Sequence, residues 1–110
     1  MAFTGDEGKM IDPTVAQKWI DNYQKDAGKD AIHGEFFGFR RLSELIGQGN
    51  AIGVRVYYAK DDAGVQKLVL VAVSPDEANI AKVEGSSVQG LVLDTGWPCP
   101  PYCGNGGGGK

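Results

Sequence analysis

The sequence predicts an α+β domain, with two helices packed on one face of a small, mainly antiparallel sheet of about four strands. Three observations predict it. Residues 12–28 carry a full helix signature, Leu42, Leu45 and Ile46 recur at helical spacing, and residues 52–73 hold two apolar strands around a polar turn. The chain has 110 residues, the size of one domain, and its 42% hydrophobic and 23% charged residues match ordinary globular usage. A chain of this length can bury a single core without staples.

The elements follow in order. Residues 1–11 are small, polar and Gly-rich and are expected to form a flexible segment. In "IDPTVAQKWIDNYQKDAGKD", Asp12 can cap orphan amides and Pro13 suits the first helical position, where its missing donor would have no partner. Val15, Trp19, Ile20 and Tyr23 then make one apolar stripe, expected to be core. Lys25 favours the negative end of the helix dipole, and Gly28 can supply the stop, so the helix should span 13–27.

Ala31 to Phe37 reads as extended, and a second helix follows from Phe39 to Ile46, ended by Gly47, Gly49 and Asn50. Ile52, Val54, Val56 and Tyr58 alternate with Gly53, Arg55 and Tyr57. "KDDAG" turns the chain, and residues 65–73 return as an almost unbroken apolar run. Such a run implies burial on both faces and a central strand. Ser74 and Pro75 are expected to open a single helical turn, residues 83–89 give no clear signal, and "GLVLDTG" reads as the last strand. The domain should therefore span 12–95, followed by a Cys-, Pro- and Gly-rich tail over 96–110 that is flexible from Gly104 onward.

The order of "GEFFG", "LSELIGQ", "GVRVYYA", "LVLVAVS" and a terminal "CPPYCG" resembles a family of uncharacterised small bacterial α+β proteins with a C-terminal Cys-Pro-Pro-x-Cys segment. The resemblance covers most of residues 13–104 and implies no activity, cofactor or catalytic residue.

Net charge is −3, against the basic face that nucleic-acid binding needs. The N-terminus has no apolar run of signal-peptide type, and the longest apolar run, in "KLVLVAVSP", is too short to cross a membrane. A cytoplasmic protein with no membrane or nucleic-acid partner is expected.

"GWPCPPYCG", residues 96–104, holds both cysteines and is the one chemically pointed segment. A redox reading likens it to a Cys-Pro-Tyr-Cys site with one proline inserted. Such sites place the attacking Cys at a helix N-terminus, which lowers the thiol pKa, and "GNGGGGK" after Cys103 cannot form a helix. A metal reading takes Cys99, Cys103 and His33 as ligands, but tetrahedral zinc needs a fourth. The plain reading of His33 is a half-exposed strand residue.

A structural reading bridges Cys99 to Cys103. A polyproline path between them would span ~12 Å, and a bridge needs ~4.4–6.8 Å, so the chain would have to turn, at Pro101 or through a cis proline. A recognition reading uses prolines to stiffen the chain and the Trp97 and Tyr102 rings as contact faces.

Other candidates are weaker. Arg40, Arg41 and Arg55 could hold an anion, but solvated cations explain them as well. "GQGNAIG" lacks the spacing of a phosphate-binding loop, and adjacent Asp61 and Asp62 in a turn point apart. No catalytic residue and no cofactor is expected. The leading function is a non-enzymatic protein-interaction or structural domain with an unknown protein partner. The alternative is a thiol-dependent redox or metal-binding protein using Cys99 and Cys103.

Overall fold

The computed structural model describes residues 2–28, 30–80 and 91–102. The segment 83–89 and the tail from Gly104 lie outside them. The chain is α+β, with elements α1 (Pro13–Ala27), β1 (Gly34–Phe36), α2 (Phe39–Ile46), β2 (Gly53–Lys60), β3 (Gln66–Val73), β4 (Val92–Leu93) and β5 (Trp97–Cys99). The strands make two antiparallel sheets, β2-β3-β4 and β1-β5, and not the one sheet of about four strands that the pattern predicts. The chain divides into two compact units, residues 1–7 with 37–95, and residues 8–36 with 96–110.

In the first unit, β2 and β3 pair from Gly53 with Val73 to Lys60 with Gln66. The turn between them is built around Asp61. Its carboxylate accepts the Ala63 and Val65 amides at 2.9 Å each, and Gly64 takes the positive φ of 84° that closes the loop. Asp61 is thus a turn residue. β3 is central, as its apolar run predicts: Leu70, Val71, Ala72 and Val73 are all buried. Leu70 and Ala72 face α2, where Leu45 is enclosed between them and partly buried Leu42, Val54 and Leu93. Helix α2 lies against β3 and β4.

Ser74 opens no helical turn. Its amide donates to the Ala78 carbonyl at 3.0 Å, and its hydroxyl bonds the Asp76 carboxylate. Glu77 adopts a φ of 71°, which folds the chain back so that Asn79 pairs antiparallel with Val73.

In the second unit, α1 has the boundaries its signature predicts. Asp12 Oδ1 accepts the Thr14 amide at 2.7 Å, and the Gly28 amide closes on the Gln24 carbonyl at 3.1 Å. The stripe of Val15, Trp19, Ile20 and Tyr23 is not core, however; no residue of α1 is buried, and Trp19 is 58% exposed. The sheet of this unit is a ribbon of two three-residue strands, too small to cover a fifteen-residue helix. β5 is itself a correction, because residues 97–99 were expected beyond the last strand.

The two apolar sites should differ sharply on truncation. Leu45→Ala should lose ~2–5 kcal/mol, because it removes buried methyl groups and leaves a cavity. Trp19→Ala should stay within ~0.5 kcal/mol of the parent chain, as surface changes do. Denaturant titration measures both, and a Trp19 loss as large as that of Leu45 would show a buried ring.

Candidate functional site

The β1-β5 ribbon carries most of the residues that the sequence singles out. Register places Phe36 opposite Trp97, Glu35 opposite Pro98 and Gly34 opposite Cys99. A proline inside a strand fits here because both strands are edges and a ladder donor is not needed on the open side. Directly opposed residues share one face of an antiparallel pair, so Phe36 and Trp97 stand side by side. Beyond β5 the chain turns through cis bonds at Cys99–Pro100 and Pro100–Pro101, and the Tyr102 amide donates to the Pro98 carbonyl at 2.8 Å. That turn brings the Tyr102 ring to 4.8 Å from the Trp97 ring, tilted by 45°. Phe36, Trp97 and Tyr102 are 64%, 58% and 55% exposed. Sequence reasoning named Trp97 and Tyr102 but missed Phe36, whose only signal was an aromatic residue at the end of an extended stretch.

Cys99 is the one buried side chain of this unit among the described residues, beside the buried glycine Gly96, and it is disulfide-bonded. Cys103, the other cysteine of the chain, lies outside the described residues. The structure brings His33 to Cys99 across the ribbon: the His33 amide donates to the Cys99 carbonyl at 2.8 Å, and Nδ1 lies 4.0 Å from Sγ. Gln24 Nε2 is 3.3 Å from the same Nδ1. With the Gln24 amide as donor, Nδ1 accepts and the neutral ring carries its proton on Nε2. The Nδ1–Sγ approach is then a packing contact.

A disulfide sulfur is not a thiolate, so in this state Cys99 is neither a nucleophile nor a strong metal ligand. Among the described residues no group of three or more His, Cys, Asp and Glu side chains is placed to hold a metal ion. The bonded state also pulls against the expected cytoplasmic location, since disulfides persist in oxidising compartments.

Arg41 and Arg55 have separate surroundings. Arg41 Nη1 pairs with both Glu44 carboxylate oxygens at 2.7 and 2.8 Å on the exposed side of α2. Arg55 instead lines a cleft of ≈ 470 Å³ in the first unit, together with Phe3, Glu7, Ile52 and Val56. Residues 3–7 form one wall. The Phe3 amide donates to the Pro75 carbonyl at 2.8 Å, and Gly5 passes beside the Ile52 carbonyl. Glu7 ties this wall into a turn, accepting the Thr4 amide at 2.8 Å and the Gly5 amide at 2.9 Å. These bonds, the Thr4 amide first, hold its carboxyl below the usual Glu range. Nothing in the sequence marked these residues beyond an isolated Phe3 in a polar stretch.

Comparison of the chain with known protein families, with curated proteins and with solved structures finds no match. Among the described residues no helix is long and apolar enough to cross a membrane.

The Glu7 turn has a pH signature. Its folded pKa is depressed, so the stabilisation is present above the ordinary Glu value and is lost as pH falls through the folded one. In an NMR titration the Thr4 and Gly5 amide shifts should move with the Glu7 carboxyl, at a midpoint below the ordinary Glu range. Amides that stay still while Glu7 protonates would contradict the turn.

Proposed function

We propose that this chain is a small non-enzymatic protein-interaction module and that Phe36, Trp97 and Tyr102 form its contact face. One observation carries the reading: all five aromatic residues of the second unit, Trp19, Tyr23, Phe36, Trp97 and Tyr102, are exposed. Clustered exposed apolar side chains mark interaction surfaces, and Trp and Tyr are enriched where single residues dominate binding. The ribbon and the turn after it hold two of the rings at a fixed spacing, which lowers the ordering cost of binding. The net charge of −3 fits a protein partner better than a nucleic acid.

A second reading, thiol–disulfide exchange at Cys99, has the nearby His33 in its favour. Against it, Cys99 ends a strand instead of starting a helix, and only 9% of its surface is exposed, which restricts attack on the sulfur.

The test compares the immobilised full chain with a Trp97→Ala, Tyr102→Ala double variant in a lysate of cells that express it. Circular dichroism checks that both are folded. A partner held by the parent chain should bind the variant at least ~30-fold more weakly, as expected when aromatic residues worth ~2 kcal/mol or more are removed. Equal capture by both chains would contradict the assignment of the face. Reduction of a model disulfide at thioredoxin-like rates would replace it with the redox reading.

A further inference from the structure

We propose that the cleft beside Arg55 is a binding site for a small apolar monocarboxylate. It lies wholly within the first unit, and its volume of ≈ 470 Å³ falls in the range of small-ligand pockets. Phe3, Ile52 and Val73 give it apolar surface, and Gly5, Gly53, Glu7 and Arg55 line the rest. Small-ligand sites combine apolar lining with a few placed polar groups that fix the ligand's orientation.

The polar group that sets the ligand's charge is the Arg55 guanidinium. Its partners are all neutral: Nη1 donates to Asn79 Oδ1 at 2.6 Å, Nη2 reaches the Glu77 carbonyl at 3.4 Å, and the Phe3 ring centroid lies 5.8 Å from Cζ. No carboxylate among the described residues lies within ion-pair distance of it. The guanidinium has five N–H donors in a planar fork, so donors remain after these bonds, and the fork matches a carboxylate. Asn79 is itself fixed, donating from Nδ2 to the Tyr57 hydroxyl oxygen at 2.9 Å, and it thereby holds the guanidinium in place. That bond first, and Arg55 after it, hold the Tyr57 hydroxyl below the usual tyrosine range.

Glu7 decides between kinds of anion. It lines the same cleft and stays ionised, yet its oxygens are taken by the Thr4 and Gly5 amides and the Thr4 hydroxyl. It therefore makes no ion pair with Arg55, and its charge opposes a second negative charge nearby. The cleft selects a single carboxylate with an apolar body over a phosphate dianion.

The experiment is an NMR titration of the full chain with butyrate, hexanoate, octanoate, 1-octanol and inorganic phosphate. Octanoate should shift the amides of Gly5 and of residues 52–56. Affinity should rise roughly fourfold per added methylene, the equivalent of the transfer value for one CH₂. Octanoate should bind at least tenfold more tightly than octanol, and Arg55→Gln should erase that preference while octanol binding is unchanged. If octanol matches octanoate, if phosphate binds more tightly than octanoate, or if the shifts map elsewhere, the proposal is overturned. Should Arg55→Gln fail to fold, the preference of the parent chain for octanoate over octanol still decides the matter. A Phe3→Ala variant, which removes an apolar wall, should then weaken both ligands alike.

Discussion

The eight-residue pairing of β2 with β3 is the constraint on which the described fold depends. It sets a register in which Leu70 and Ala72 face α2 while Val71 and Val73 face the other way, so β3 is buried on both sides. Ala72 is fully enclosed and contributes no bulk, which lets Leu45 pack against the strand. The same register places Arg55 opposite Val71, on the face away from α2, and so beside the cleft. A slip of one residue would exchange the two faces and destroy the core and the cleft together.

The second unit rests on different physics. Two three-residue strands and one helix offer too little surface to bury five aromatic rings. Covalent and local restraints take the place of a core: the disulfide at Cys99, the His33–Cys99 backbone bond, and the turn from Pro98 to Tyr102. The apolar side chains are left at the surface, which is the property that the proposed contact face relies on.

Local chemistry was legible in the sequence, and distant pairing was not. The ends of α1 were set by Asp12, Pro13 and Gly28, and those of the hairpin by alternation and the Asp61 turn, all within a few residues. The pairing of β1 with β5 joins His33 and Gly34 to Cys99 from the far end of the chain, and no periodicity encodes such a match. Pro98 reads as a strand breaker, and only the open edges of a two-stranded ribbon make it tolerable. Helical spacing showed that Trp19 and Tyr23 share a stripe but could not say whether anything covers it. The cleft was hidden for a similar reason, since a Gly-rich segment gives no sign that Phe3 and Glu7 settle beside β2.

Native-state hydrogen exchange tests the central claim most directly, namely that stability is concentrated in the hairpin and α2 while the second unit keeps its apolar side chains at the surface. Opening free energy falls where few apolar contacts must be broken. The amides of residues 69–73 should exchange slowest, near the global limit, and those of α1 at least ~100-fold faster, because α1 buries no residue. Exchange in α1 as slow as in β3 would contradict the account, because it would mean that the stripe of Trp19 and Tyr23 is held by a core.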